Sequence, residues 1–225
     1  FHSDSIKPSK PPNIFPSQED KNIQAIAKRA ITSEQNDMGL ESAFSKKRRL
    51  ETVDLLMRDK KTSEKRSNSV QLQELLTALQ QQGSQNSTLY VNLGRILTIV
   101  GKKDIQLLDG TKMTQQQLYL KAIELDPRNS MAYNSLGNIL RLGGSIQLLN
   151  GTEMTKQQLY LKAIELNPTN PTNAIAYTNL GTTLRPGESI QILDGKEMTK
   201  QQLYLKAIEL DSTNSMASIK LRNFF

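Results

Sequence analysis

The chain has 225 residues, no Cys, no Trp, a single His at position 2 and a formal net charge of +7. Disulfide staples, thiolate metal sites and cysteine nucleophiles are thereby excluded, and a Ser-His-Asp triad or multi-His metal centre would have to be built on one residue beside the chain start. The apolar fraction, 36%, is low for a globular domain, and 5% aromatics leave no large aromatic core or cage.

In chain order, residues 1–68 come first and are expected to be a polar, basic and mostly disordered arm. Pro8, Pro11, Pro12 and Pro16 predict an extended start. Ser17 and Asp20 could cap a short helix carrying Ile23, Ile26, Ala27, Ala30 and Ile31 on one face, and Leu50, Val53, Leu56 and Met57 could mark another. The densest charge lies at 46–66, from Lys46-Lys47-Arg48-Arg49 to Lys65-Arg66. Such a run reads first as a solvated arm; nucleic acid, acidic lipid or an import receptor are its alternative partners. The chain opens on Phe1, as expected of a piece of a longer protein. No apolar run reaches the roughly 18–20 residues needed to span a bilayer.

Beyond residue 68 the chain repeats itself. LYLKAIELD stands at 118–126, LYLKAIELN at 159–167 and LYLKAIELD again at 203–211. Each is preceded by a second block, DIQLLDGTKMTQQQ, SIQLLNGTEMTKQQ or SIQILDGKEMTKQQ, and YVNLG, YNSLG and YTNLG form a third block at 90–94, 133–137 and 177–181. The spacing lengthens from 41 to 44 residues where NPTNPTN at 167–173 doubles a three-residue loop. Tyr133, Leu136, Gly137 and Leu140 share one helix face, and Gly137 allows a neighbouring helix to approach closely. Leu159, Tyr160, Ala163 and Ile164 make a second stripe, started by a capping box at Thr155/Gln158 and stopped at Asn167-Pro168. Each unit is a helical hairpin that must stack on neighbours to bury its stripe.

Between the two helices of each unit the pattern predicts a β-hairpin around Asp109-Gly110, Asn150-Gly151 and Asp194-Gly195, since these dipeptides accept positive φ. A two-residue turn would set Leu149 opposite Thr152 and Gln147 opposite Met154. A two-helix unit advances roughly 16–20 Å along an array, whereas two strands cover about 10 Å, so the hairpins should stay separate.

At Tyr133, Leu136, Gly137, Tyr160, Ala163 and Pro168 the sequence resembles the tetratricopeptide repeat family, with units lengthened to 41–44 residues. It departs at the small residue expected early in helix B, replaced by Gln115, Lys156 and Lys200. The resemblance implies a mainly α fold: a helical-hairpin solenoid over 69–225, with a short β-hairpin inserted in each repeat and an irregular N-terminal third. Residues 69–86 would be a degenerate cap, 87–129, 130–173 and 174–214 the repeats, and 215–225 a partial fourth unit.

By the same resemblance the chain is a non-enzymatic protein–protein interaction scaffold that holds an extended peptide or partner segment in a concave groove lined by helix A. The implied groove residues are Asn92, Arg95, Asn134, Asn138, Arg141, Thr178, Asn179, Thr182 and Arg185, with Val91 and Ser135 beside them. Asn amides offer a donor and an acceptor together, and Asn92 and Asn179 hold the position of the asparagine ladder in glycosyltransferase superhelices of this family. The clamp used by chaperone-tail receptors is not expected, because its positions hold Val91, Arg95, Ser135, Ile175 and Asn179. A substrate-recruiting region of a larger enzyme and a basic-arm nucleic-acid-binding protein are the alternatives. No phosphate loop, triad or metal cluster is present, so catalysis, a cofactor and a metal are not expected. Arrays with such an insert resemble ones from bacteria living inside amoebae, which implies a cytoplasmic protein or one delivered into a host cell.

Overall fold

The structure, a computed structural model, describes residues 43–82, 84–192 and 195–224. The proline-rich start and the short helix expected within 17–31 lie outside the described residues. The chain divides into two units, one ending at Ser63 and one running from Glu64.

The first element, α1, is a helix over Ala43–Gln82. Residues 43–68, expected to be irregular, are thus helical. No Gly or Pro occurs from 40 to 82, and the stretch is rich in Lys, Arg, Glu, Gln and Leu, whose side chains lose little freedom in a helix. The basic run at 46–66 is therefore carried on a helix. Toward its end Leu72, Leu76 and Leu79 recur on one face and are buried, which ties this segment to the core of the second unit.

Three further helix pairs and a last helix follow. These are α2 Ser87–Val100 and α3 Gln115–Leu125; α4 Ser130–Ile139 and α5 Lys156–Leu166; α6 Ala174–Thr183 and α7 Lys200–Leu210; and α8 Ser215–Arg222. Each of α2 to α8 packs against the next, and the first helices of consecutive pairs, α2 with α4 and α4 with α6, also touch. The core is built from the repeated positions: Leu93, Leu136 and Leu180 of the Leu-Gly block and Leu118, Leu159 and Leu203 of the LYLKAIEL block are fully buried. Each such leucine contributes about 1.5–3 kcal/mol of burial.

The glycine of the first helix faces the tyrosine of the second. A Cβ at Gly137 would lie 2.7 Å from Cε1 of Tyr160, and one at Gly181 would lie 2.6 Å from Cε1 of Tyr204; Gly94 meets Tyr119 in the same way. Absence of a side chain at these glycines is what lets the aromatic ring close on the helix backbone.

The first helices differ in length for a local reason. At the place where Gly143 and Gly187 take positive φ of 76° and 83°, α2 has Val100. A β-branched residue avoids that conformation, so α2 continues to Gly101, whose φ of 68° ends it. The doubled loop before α6 folds into a 3₁₀ turn, Pro171–Asn173, whose Asn173 amide is buried and donates to the carbonyls of Ala163 (2.8 Å) and Asn167.

Between the helices of each pair lie antiparallel hairpins: β1 Asp104–Gln106 with β2 Lys112–Thr114, β3 Ser145–Gln147 with β4 Glu153–Thr155, and β5 Ser189–Gln191 with β6 Glu197–Thr199. They form three separate two-stranded sheets, as the spacing argument requires. Their register corrects the two-residue turn: Ile146 faces Met154 and Gln147 faces Glu153. Leu148 N–H donates to Thr152 O (2.8 Å), which leaves the three-residue loop Leu149-Asn150-Gly151. Gly151 has positive φ, 86°, and Asn150 Oδ1 accepts the Thr152 amide at 3.0 Å. This is the three-residue loop with a glycine bulge rather than the two-residue turn. The one-residue shift decides the face: Ile146 and Leu148 point into the core and Gln147 outward.

Candidate functional site

The second helix of each pair begins with a capping box, Thr114/Gln117, Thr155/Gln158 and Thr199/Gln202, in which the threonine side chain accepts the N3 amide and the glutamine accepts the cap amide. The box sets the first helical residue at Gln115, Lys156 or Lys200, where the family pattern has a small residue. From there the side chain reaches back to the preceding helix. Lys156 Nζ donates to Leu140 O at 2.7 Å and Lys200 Nζ to Leu184 O at 2.9 Å. Gln115 Nε2 donates to Gly94 O at 2.8 Å. The two lysines thus cap carbonyls that the helix leaves unpaired and bring a cation to its negative end, whereas neutral Gln115 bonds a carbonyl inside α2. Burial of Lys156 lowers its ammonium pKa from 10.5.

The three tyrosines that cover the glycines resolve their hydroxyls in three ways. Tyr119 OH accepts from Gln115 Nε2 at 3.2 Å. Tyr160 OH donates to Asn138 Oδ1 at 2.9 Å. Tyr204 OH is buried with no hydrogen-bond partner, because Thr182 stands where Asn138 stands one repeat earlier. Burial pushes the Tyr160 phenol up to about 12 and raises Tyr119 and Tyr204 as well. At neutral pH Tyr160 is therefore a neutral donor that fixes the Asn138 amide.

On α4 and α6 the predicted groove residues meet. Asn179 Nδ2 donates to Asn134 Oδ1 at 3.0 Å and to Asn138 Oδ1 at 2.9 Å. Thr182 is exposed and donates to the Asn179 carbonyl at 2.6 Å. Arg95, Arg141 and Arg185 are exposed, the first on α2 beside Met131 (Nη1 to Sδ 3.7 Å) and the others just past the ends of α4 and α6. Arg185 lies 3.8 Å from the Glu188 carboxylate. Asn92 is half-buried on α2 and joins no hydrogen bond to the amide cluster.

Thr178, also expected in the groove, is 2% exposed. Its hydroxyl donates to Ala174 O at 2.8 Å and accepts from Asn214 Nδ2 at 3.0 Å, so it pins α8 to α6. Val91 and Ser135 are buried too. Val91 and Thr178 stand one position before Asn92 and Asn179, but Ser135 holds the same repeat position as those two asparagines, so repeat position alone does not sort the inward from the open residues.

Sequence reasoning missed Tyr160 as the anchor of Asn138 and the back-capping by Lys156 and Lys200. The recurrent departure from the family pattern at Gln115, Lys156 and Lys200 was the available signal for the second; nothing in the spacing announced the first. Among the described residues no group of three or more His, Cys, Asp or Glu could hold a metal ion, and no helix is long and apolar enough to cross a membrane. A shallow depression on α1 is lined by Ser69, Val70, Gln73, Glu74, Thr77 and Ala78 and includes none of the asparagines or arginines.

Compared with known families, residues 118–158 and 159–202 match the tetratricopeptide repeat in two consecutive copies. No curated protein matches the chain.

Proposed function

We propose, from the premise that this chain belongs to the tetratricopeptide repeat family, that it is a scaffold whose stacked repeats form a solenoid and hold an extended partner segment along the first helices of the repeats. Repeats of this family generally mediate protein–protein interaction and are typically non-enzymatic. The observation that carries the finer reading is the amide cluster Asn134–Asn138–Asn179, which joins α4 to α6 on a partly exposed face. An amide held in place by its neighbours can pair with a peptide backbone whatever the peptide's sequence, and it loses little rotamer freedom on doing so. Asn92 extends this face onto α2. Val91 and Ser135, two positions of a carboxylate clamp, are buried, so recognition of a terminal carboxylate is not part of the reading.

The test is selection of peptides from a random library on the full chain, followed by measurement of their affinity for Asn92→Ala/Asn179→Ala. The selected peptides are expected to lose roughly tenfold, about 1.4 kcal/mol, while the variant keeps its helical circular dichroism. Amidation of their C-termini should change nothing. Peptides that bind parent and variant equally would sink the groove, and peptides that need a free carboxylate would restore the clamp.

A further inference from the structure

We infer that the partner segment is acidic, an extended stretch of Asp- or Glu-rich chain whose carboxylates meet Arg95 and Arg141; this rests on the groove reading and names its ligand. Charge is sorted between the two kinds of helix. Helices α2, α4, α6 and α8 contain no Asp or Glu. Within the helix pairs the carboxylates lie on the second helices, where Glu124, Glu165 and Glu209 are each held by the lysine three residues earlier, at 2.9, 2.8 and 2.7 Å. Positive charge on the first-helix side is not neutralised in this way. Arg95 and Arg141 have no carboxylate partner among the described residues, and only Arg185 has one, Glu188.

The hydrogen-bond inventory of the cluster points the same way. Both bonds made by Asn179 use its Nδ2, and both end on the oxygens of Asn134 and Asn138. The Asn138 oxygen accepts the Tyr160 hydroxyl as well. What the three amides keep for a ligand is therefore the four N–H groups of Asn134 and Asn138, against two lone pairs on the Asn179 oxygen and one on that of Asn134. A face with more donors than acceptors, on which Arg95 holds in α2 the repeat position of Asn138 in α4, is complementary to an acceptor-rich anion. Peptide carboxylates fit it better than nucleic acid does. Tyr90, Tyr133 and Tyr177 of the first helices are buried, so no aromatic surface is offered for base stacking.

The experiment uses the full chain and an array of short synthetic peptides in matched pairs, identical except that Asp and Glu in one member are Asn and Gln in the other. All are amidated at the C-terminus. Acidic members are expected to bind about tenfold tighter than their amide partners. That preference should shrink in Arg95→Gln/Arg141→Gln and as salt rises from about 0.05 to 0.5 M. Both arginines are exposed, so the variant should keep its melting temperature. Amide members that bind as well as acidic ones, with both weakened by Asn92→Ala/Asn179→Ala, would overturn the acidic ligand and leave the groove standing. Binding indifferent to the asparagine variant, or no binding anywhere on the array, would overturn both. A single-stranded oligonucleotide that displaces the acidic peptides at lower concentration than the peptides themselves would assign the face to nucleic acid instead.

Discussion

Gly137 and Tyr160 are complementary in shape to a few tenths of an ångström. A methyl group at 137 would lie 2.7 Å from the ring of a tyrosine that is 2% exposed. Overpacking of this kind costs about 1–3 kcal/mol, against which alanine's helix propensity returns up to about 1. Gly137→Ala should therefore lower stability by about 1–2 kcal/mol in urea denaturation. In a Tyr160→Leu background the same change should be neutral or favourable; an equal loss in both backgrounds would mean that the ring is not what excludes the methyl. The orphaned hydroxyl of Tyr204 makes the converse prediction. Thr182→Asn restores the acceptor that Asn138 gives Tyr160, and it should stabilise by about 1 kcal/mol. An unchanged or lower urea midpoint would show that the hydroxyl does not lack a partner. The sequence announces a close helix approach at the glycine, because it recurs at fixed spacing. It does not announce which hydroxyl is satisfied, since that depends on a side chain 22 residues away for Tyr160 and Asn138.

For the hairpins, the decisive residue is the glycine that closes the loop. Gly151 has φ 86° with open space around its α-carbon, so Gly151→Ala costs only backbone strain, about 1–2 kcal/mol. Asn150→Asp should be close to neutral, because Asp109 makes the same bond to Thr111 N at 2.8 Å in the first hairpin. Thermal melts of the two variants check this. Equal losses would mean that the side chain at 150 holds the loop by more than its one amide contact. Helix, strand and turn were legible in order because each is set by local chemistry: caps, Asx-Gly, and the Pro after α3 and α5. The register was not. An Asn-Gly pair is compatible with a two-residue turn and with a three-residue bulged loop, and burial of Ile146 and Leu148 against the helices selects the second.

At the scale of the whole second unit, burial of tyrosines sets an alkaline limit. Burial raises the phenol pKa of Tyr90, Tyr119, Tyr133 and Tyr204, and that of Tyr160 to about 12. A phenol whose folded pKa exceeds its unfolded value of 10.0 keeps its stabilising effect below pH 10 and loses it as pH rises; for Tyr160 the window runs from 10.0 to about 12. The urea midpoint should thus be flat below about pH 9 and fall steeply above about pH 10, with tyrosinate absorbance rising as the chain unfolds. Tyrosinate forming near pH 10 in a chain that keeps its midpoint would contradict the buried placement.

The same unit divides what each level of description decides. The sequence by itself determined the repeated helix–hairpin–helix unit, the close helix approach at the glycines and the caps, because these rest on neighbours within one unit and are written three times. Only the tertiary structure decided that Thr178, Val91 and Ser135 turn inward while Asn134, Asn138 and Asn179 join across two helices. A helix has no sharp edge between its buried and open faces. The boundary is drawn by the next helix that packs on it, and here Asn214 at the start of α8 claims Thr178 for the interior.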